Sequence, residues 1–446
     1  MGTIAAHYRQ GSVICVKLKT KWLLEKTSST SCTMTGVWKA VAFCPGVVVV
    51  FHSPAGCAHV ASFLDLGERY RILADGGADV PAGVPLVSSA LREKDSIFGG
   101  TDRLRACLAD AWEAYHPECF VVASSCVAGV IGDDVDWVCA EAERKYGIPV
   151  LSLPFSGFLG GDYGDGYEQT ANAIMKRFFR RQAHVPGRIV LLGDQMGPMG
   201  QYAREVTRIL RKFGLDVRYQ FPGYVPFHAW QEIPSAEFSV LLGFSGNSSA
   251  LEHMAEHLEA SFGVRSLGAV FPVGWQETRD WMEKVARLTE QEALGKAILA
   301  EEEAEIARQT ATFQKQRSGK TAAIVTGRSP KWYHPAETAA TLTRLGIRIS
   351  ALILLGNLPP DDKERLTASF RHVSDAPVLD EADGAPVMEA ADFLLVSNEI
   401  YDTETKQLFL PMVPLAGTAG EIAMMRAIAH LVCRYGTKGG MAYVEA

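Results

Sequence analysis

The chain has 446 residues, a net charge of −7, and 48% hydrophobic and 21% charged residues. Its length predicts about three domains, at roughly 100 to 200 residues each, and its composition is that of a folded protein, not of a disordered or fibrous one. Basic and acidic residues are interleaved, so no stripe of Lys and Arg is available to follow a nucleic-acid backbone. We therefore expect no nucleic-acid partner.

The expected location is cytoplasmic and reducing, with no membrane contact. The longest apolar run, residues 40–51, is shorter than the roughly 20 residues that span a bilayer and is broken by Pro45 and Gly46. Lysines interrupt the apolar stretch near the N-terminus, so we expect no signal peptide. Nine cysteines in such a compartment indicate metal or redox chemistry and not a disulfide framework.

Short β-branched runs alternate with amphipathic helical stretches along the chain, a pattern typical of parallel sheets with helical crossovers. Several helices are predicted to end at a glycine in the left-handed conformation, immediately before a new strand. Those glycines are Gly147, Gly214, Gly263 and Gly346. The predicted strands are Gly46–Phe51, Cys119–Ala123, Arg188–Gly193, Phe238–Gly243, Ala322–Gly327, Ile349–Leu355 and Asp392–Ser397, and the predicted helices include Arg103–Tyr115, Asp136–Tyr146, Gln201–Phe213, Leu251–Phe262 and Glu421–Arg434.

The pattern predicts an α/β fold of three Rossmann-like domains with parallel sheets, over residues 1–186, 187–300 and 301–446. The boundaries are placed at residues 181–187 and at a charged helix over Thr289–Arg317. Within that helix, the glutamates of Glu301–Glu305 are predicted to form a solvated face.

Three cysteines, Cys32, Cys57 and Cys126, are candidate ligands of a metal cluster. Cys57 and Cys126 each follow a predicted strand, and loops at the carboxyl ends of strands are where an open α/β sheet places its ligands. Iron–sulfur clusters are held chiefly by such thiolates. Three ligands hold a cluster incompletely, so a partner chain is expected to supply the rest.

The alternative for any single cysteine is that it packs as a small buried hydrophobe. That explanation suffices for Cys107 and Cys139, which lie inside predicted helices. Cys44 lies in a turn and is a fourth candidate thiolate. The chain has no Cys-x-x-Cys pair, so neither a zinc ribbon nor a thioredoxin-type site is indicated.

No nucleotide site is predicted. Ser318–Thr321 reads as the end of a phosphate loop, but residue 314 is Gln and the strand follows the motif instead of preceding it. ATP hydrolysis is therefore expected on a separate protein.

The segment Ser88–Val135 resembles the component 1 proteins of nitrogenase and the nitrogenase-like reductases, and specifically their β-type subunit. The Ile-Phe-Gly-Gly element at 97–100, the His-Pro-Glu turn at 116–118 and the Ser-Ser-Cys followed by Ile-Gly-Asp-Asp at 131–134 stand in the family order. Cys32 and Cys57 are 25 positions apart, which suits the family spacing, and residues 52–57 stand where the family has a His-Gly-x-x-Gly-Cys turn. Residues 269–274 resemble a Tyr-Pro-Val-Gly segment of the second domain.

The resemblance implies that Cys32, Cys57 and Cys126 bind an iron–sulfur cluster at a subunit interface. That cluster would be of the P-cluster type with eight irons, or a four-iron cluster, shared with an α-type chain in an α2β2 assembly. Cys44 would be a bystander, and Ser156 is a further candidate, because some relatives place there a serine that ligates the oxidised cluster. Phe98 would lie where an ATP-dependent iron–sulfur reductase docks.

The resemblance also implies an oxidoreductase whose catalytic centre lies on the partner. In the family, the catalytic subunit holds its cofactor with a cysteine of the second domain, and this chain has no cysteine between Cys139 and Cys433. The chain would then relay electrons. The motif at residues 52–57 departs from the usual family sequence. This departure favours a divergent relative such as methylthio-alkane reductase over a dinitrogen-reducing or tetrapyrrole-reducing protein. A cofactor-assembly scaffold and a metal-free α/β binding protein are the alternatives from other classes.

Overall fold

The computed structural model describes residues 32–63, 83–194, 197–243, 249–270, 273–314, 319–327, 335–401, 403–410, 415–434 and 442–443. Within these ranges strands and helices alternate and form three parallel sheets, so the predicted α/β fold is confirmed. The predicted sequence features at Phe271, Pro272 and Ser318 lie outside the described residues.

The first sheet carries the cysteine-bearing loops and has the strand order β2-β1-β3-β4. Its two central strands pair in parallel along their whole length, so that His52 at the end of β1 lies opposite Ser124 at the end of β3. Both strands are completely buried, as expected of strands covered by helices on both faces. The four strands are β1 Val47–His52, β2 Leu86–Ser88, β3 Cys119–Ser124 and β4 Val150–Leu153.

The second and third sheets follow in chain order and are also parallel. The second has the order β6-β5-β7-β8, and the third has the order β11-β10-β9-β12-β13-β14. Their strands are β5 Val185–Leu192, β6 Asp216–Phe221, β7 Ala236–Leu242, β8 Arg265–Val270, β9 Thr321–Thr326, β10 Arg348–Leu354, β11 Val378–Asp380, β12 Phe393–Val396, β13 Lys406–Phe409 and β14 Ala442–Tyr443.

The helices cover the faces of these sheets. The predicted elements are all present, with ends that differ by a few residues, and the four predicted cap glycines all have positive φ. None of the described helices combines the length and the apolar character needed to cross a membrane. The helices are Thr33–Val41, 55–63, Asp95–Phe98, Thr101–Tyr115, Cys126–Ile131, Val135–Tyr146, Tyr163–Phe178, Gln201–Lys212, Ser249–Phe262, Trp275–Leu288, Glu292–Gln314, Pro335–Arg344, Pro360–Arg371, Glu381–Ala390 and Gly417–Cys433, with 3₁₀ segments at Gly157–Leu159 and Phe227–Ser235.

The second sheet joins the other two, because its strand β5 is buried on both faces. Side chains alternate along a strand, so Ile189 and Leu191 enter a core shared with the third sheet. Val190 and Leu192 enter a core shared with the first sheet. The three predicted domains therefore share apolar cores, and their boundaries stay predictions.

The prediction of a solvated face over Glu301–Glu305 is wrong at Glu302, whose side chain is 3% exposed. Arg208 and Lys212 of a neighbouring helix bind its carboxylate, with N–O distances of 2.7 and 2.5 Å. Burial by itself raises the pKa of Glu302, but hydrogen bonds from Arg208 and Lys212 outweigh that effect and lower the pKa to about 2. A buried carboxylate needs such partners, and helical periodicity did not show that they were within reach.

Two glycines let the helix that follows Cys32 lie against the helix Tyr163–Phe178. A Cβ atom on Gly36 would come within 2.1 Å of the Tyr163 carbonyl oxygen, and one on Gly166 within 2.0 Å of the Thr33 carbonyl oxygen. The backbones therefore touch, and this contact sets the position of the helix start at which Cys32 lies.

We expect Gly36→Ala to lower the free energy of unfolding by about 1–3 kcal/mol, the usual cost of overpacking. The added methyl group must push the two backbones apart. Chemical denaturation of the iron-free chain measures the change. Gly56→Ala is the matched control, because a Cβ there meets nothing within 4 Å, and it should be nearly neutral. Equal losses in both variants would show that the helix contact does not limit stability.

Candidate functional site

Cys57 and Cys126 leave the same edge of the first sheet. Cys57 lies in the first turn of the helix 55–63, five positions after β1 ends, and Cys126 is the first residue of the helix Cys126–Ile131, directly after β3. The ends of β1 and β3 are held together, because the Ser125 N–H donates to the His52 carbonyl oxygen at 3.1 Å. The two strand-end cysteines therefore lie on neighbouring loops, as the sequence predicted.

Cys32 reaches the same place from a different element. It precedes the helix Thr33–Val41, and its neighbour Thr33 donates from Oγ1 to the Gly157 carbonyl oxygen at 3.0 Å. Gly157 in turn lies against Cys126, since a Cβ on this glycine would come within 2.7 Å of the Cys126 nitrogen. Gly157 has φ of +54°, and both the backbone and the close contact favour glycine there. The turn at Gly157 thus lies between the Cys32 and Cys126 segments.

The three thiols are close enough to influence each other electrostatically. The pKa of Cys57 is raised, first by burial and then by negative charge on Cys32 and Cys126, while a hydrogen bond with the Ser53 side chain lowers it. All three cysteines are free and half-buried. Positive charge close to Cys57 would offset both effects, and the irons of a bound cluster supply such charge. The chemistry of this donor set fits an iron–sulfur cluster.

The described residues do not form a binding site for a single metal ion. Across the described ranges, no group of three or more His, Cys, Asp and Glu residues is positioned to hold one metal ion. A cluster of several irons does not need its thiolates to meet at one point, because each thiolate binds its own iron.

Ser156, the further candidate ligand, lies beside the helix that starts at Cys126. Its backbone is left-handed, with φ of +53°, and a Cβ on Gly129 would come within 2.5 Å of the Ser156 hydroxyl oxygen. This contact places Ser156 next to the cysteine-bearing helix. Its role as a ligand stays a prediction.

Three of the remaining described cysteines, Cys44, Cys119 and Cys139, are buried, whereas the trio is half-buried. Cys44 is 1% exposed, and burial raises its pKa to about 12, so it is a packed core thiol and does not offer a surface thiolate. Burial likewise raises the pKa of Cys139 to about 12 and that of Cys107 to about 11. Cys107 and Cys139 lie in helices, as predicted.

Exposed apolar side chains lie on the elements that carry or adjoin the trio. We call this set the apolar rim; its members are between 55% and 77% exposed and lie on the elements that carry or touch the cysteines. Such a concentration of exposed hydrophobic side chains is typical of a surface that another protein covers. The rim consists of Val60 and Phe63 after Cys57, Val130 on the helix of Cys126, and Phe158 and Leu159 after Ser156.

Phe98 is 85% exposed at the end of the short helix Asp95–Phe98, and its neighbour Ile97 is 78% exposed. Phe98 is therefore not a core aromatic. Exposure is what a docking residue requires, but the docking itself stays a prediction.

Sequence reasoning missed two groups of polar residues. His52 and Asp133 form a buried pair, 2.9 Å apart, just beneath the cysteine-bearing loops. Both belong to sequence motifs that were used only to establish the family resemblance. Between the second and third sheets, burial and then the charges of Glu421 and Glu277 together raise the pKa of Glu337 to about 8. Strongly perturbed carboxyls often mark functional sites, but these three come from separate helices and no sequence motif signals them.

In the iron-free chain, we expect Cys57 to react with iodoacetamide at about pH 8 more slowly than in the unfolded chain, because its raised pKa leaves less thiolate. The difference should shrink as the pH rises. Cys32→Ser should accelerate the reaction by removing one negative neighbour, whereas Cys107→Ser, outside the trio, should not. Peptide mass spectrometry after timed alkylation measures each rate, and an unchanged Cys57 rate in Cys32→Ser would contradict the electrostatic contact.

Comparison with known proteins gives one consistent result. The family model described as nitrogenase component 1 type oxidoreductase matches residues 32–398. The chain is 31% identical over 286 residues to the nitrogenase iron-molybdenum cofactor biosynthesis protein NifE of Clostridium pasteurianum, covering 62% of this chain and 58% of that protein. It is 27% identical over 311 residues to the nitrogenase molybdenum-iron protein alpha chain of Methanosarcina barkeri, covering 68% and 56%.

The matched regions thus span a little over half the length of these relatives. The solved structure of nitrogenase Cp1 at pH 5 has the same fold, with a TM-score of 0.63 at 21% identity, covering 91% of this chain and 88% of that one.

Proposed function

Because the chain belongs to the nitrogenase component 1 type oxidoreductase family, we propose that it is a cluster-holding subunit of a nitrogenase-like complex. Cys32, Cys57 and Cys126 supply the thiolates of one side of an iron–sulfur cluster, and a partner chain supplies the other side. The observation that carries this proposal is the electrostatic proximity of three free, half-buried thiols from separate segments, on elements that also carry exposed apolar side chains.

The local structure suits thiolates in particular. Cys32 immediately precedes one helix and Cys126 begins another, so backbone N–H groups and the positive end of each helix dipole face negative charge. Metal ions bind cysteine as the thiolate, and negative charge is favourable at a helix N-terminus. When bound, the cluster accepts and releases single electrons. The chain's own part is to ligate, to orient the thiolates and to keep water away from them.

The partner is a second protein that covers the apolar rim. We propose a chain of the same family, in the α2β2 arrangement that the sequence resemblance implies. The relatives named above are an alpha chain and a NifE protein, so the β-type assignment of this chain stays a prediction. The proposed reductase docks at Phe98, on the side of the first domain that carries the helix Asp95–Phe98.

For the whole complex we propose reduction of a carbon–sulfur bond, with dinitrogen reduction as the alternative. The proposal of carbon–sulfur reduction is supported by the sequence His52–Cys57, which departs from the usual family motif. Substrate chemistry would take place on the partner, because no cysteine between Cys139 and Cys433 is available to hold a catalytic cofactor here.

A second candidate function is cofactor assembly. The specific observation in its favour is that NifE, a cofactor biosynthesis protein by name, is 31% identical to this chain, against 27% and 26% for two alpha chains. Purified complex given reductase and ATP separates the two functions. Turnover of methylthio-alkanes supports the reductase, and transfer of a metal cluster to a cofactor-free acceptor without turnover supports assembly.

We expect the anaerobically purified complex to contain iron and acid-labile sulfide, and Cys32→Ser, Cys57→Ser or Cys126→Ser each to lose most of it. When three thiolates hold one side of a cluster, each substitution removes a substantial part of the attachment on that side. Cys107→Ser is the matched control, because Cys107 packs in a helix away from the trio. Iron assay with electron paramagnetic resonance measures the outcome. Full iron content in all three variants would rule out the ligand assignment.

Substitution of two exposed aromatic residues should distinguish the proposed reductase interface from the proposed subunit interface. Phe98→Ala should weaken reductase binding about tenfold or more, the loss typical of an aromatic hot spot, and leave subunit association intact. Phe158→Ala, in the apolar rim, should do the reverse. Biolayer interferometry with immobilised reductase and sedimentation velocity of the complex report the two effects. Loss of both interactions in either variant would argue against two distinct surfaces.

A further inference from the structure

A buried hydrogen-bonded network links the segment that carries Phe98 to the segments that carry two of the cysteines. His52 and Asp133 are its centre, with side chains 0% and 3% exposed. The His52 Nε2 atom is 2.9 Å from Asp133 Oδ2, and its Nδ1 atom is 2.9 Å from the Ser89 hydroxyl. The Gly100 N–H donates to both oxygens of Asp133, at 2.8 and 3.1 Å.

The hydrogen bonds define the protonation of the ring. A carboxylate only accepts, so His52 donates to Asp133 from Nε2. Nδ1 then accepts from the Ser89 O–H, whose oxygen accepts from the Ser53 N–H at 3.2 Å. A neutral ring satisfies every partner, which agrees with the pKa of His52, lowered chiefly by burial.

Each end of the network belongs to a segment of the proposed site. Gly100 ends the segment 95–100, which we call the docking turn because it includes Phe98. Asp133 follows the helix that Cys126 begins, and its N–H donates to the Ala128 carbonyl oxygen. His52 starts the segment that leads to Cys57, and its carbonyl oxygen accepts from the Ser125 N–H, next to Cys126.

The network leaves little room for independent movement. A Cβ on Gly100 would come within 2.3 Å of Leu91 Cδ2, 2.8 Å of Asp133 Oδ2 and 3.1 Å of His52 Cε1. The turn, the carboxylate and the imidazole are therefore packed directly on one another. Displacing the docking turn at Gly100 must either move Asp133 or break its hydrogen bonds.

A role in stability alone would be a costly choice of residues. A buried carboxylate loses its hydration, and a few hydrogen bonds regain only part of that free energy. Apolar side chains of similar size often stabilise a core at least as well. What the polar network adds is directional bonds that tie three separate loops to each other.

We propose that the His52–Asp133 pair couples reductase docking to the cluster: a reductase that presses on the docking turn shifts, through Asp133 and His52, the segments that hold Cys126 and Cys57. This inference rests on the proposed function and assigns His52 and Asp133 as positioning residues. They act through the cysteine-bearing loops and do not contact the cluster.

Hydrogen exchange of the purified complex, with and without reductase held by a non-hydrolysable ATP analogue, tests the coupling. In the wild type, we expect docking to slow exchange in the docking turn and also in residues 53–57 and 126–132. In Asp133→Asn, docking should slow exchange only in the docking turn. Without reductase, the Gly100 N–H of this variant should exchange about tenfold faster than in the wild type, because its hydrogen bond to a charged group becomes one to a neutral group. Asp134→Asn is the matched control: Asp134 is exposed, caps the next helix through the Trp137 N–H and does not touch Gly100.

A second pair of variants covers the case in which Asp133→Asn does not assemble. His52→Phe fills the ring volume without a bond to Asp133 and should lose transmission, whereas His52→Gln retains a donor and should restore it. Equal exchange changes in all variants, or wild-type changes confined to the docking turn, would overturn the coupling.

The experiments distinguish failure of the coupling from failure of the proposed ligands or of the proposed docking site. Absence of iron would reject the ligand assignment alone, since exchange reports the loop movement without the cluster. Absence of any protection in the wild-type docking turn would reject both the docking site and the coupling.

Discussion

The parallel pairing of β1 with β3 is the constraint on which the site depends. It sets His52 opposite Ser124, and the hydrogen bond from Ser125 to His52 extends that pairing beyond the strands. Cys57 and Cys126 follow within a few residues, so a small number of backbone bonds in a buried sheet determine where two of the three thiols lie. Parallel strands buried on both faces move little, which makes them a firm support for ligands that must hold a fixed geometry.

Cys32 is positioned by another principle, the close approach of two helices. Gly36 and Gly166 allow backbone contact, and Gly157 allows the intervening turn to lie on Cys126. The three thiols thus depend on one strand pairing and on three glycines at contacts that a side chain would separate. Burial, and then the charges of Cys32 and Cys126, raise the pKa of Cys57, and positive iron would offset both effects. Charge, burial and packing are therefore compatible with the cluster that we propose.

The surface around the trio has a consequence for assembly. Three thiolates complete only part of a cluster's coordination, and the apolar rim lies on the same elements. One partner that covers the rim would both bury these side chains and supply the missing ligands. The docking turn lies on a different segment, but the His52–Asp133 network connects it to the cysteine loops. The family relationship and the local physics therefore both support the proposal of a subunit that ligates a cluster and positions its ligands.

Local periodicity and turn chemistry encode the order of strands and helices, the cap glycines and the parallel character of the sheets, so these features were predictable from sequence. That Cys32, Cys57 and Cys126 are ligands, unlike Cys107 and Cys139, stays a prediction. Other features depend on residues distant in the chain. The burial of Glu302 depends on Arg208, the surface position of Phe98 on the fold of its turn, and the His52–Asp133 pair on strand register across 81 positions. A single sequence contains the residues of such contacts but not their spatial proximity, which only the packed tertiary structure decides.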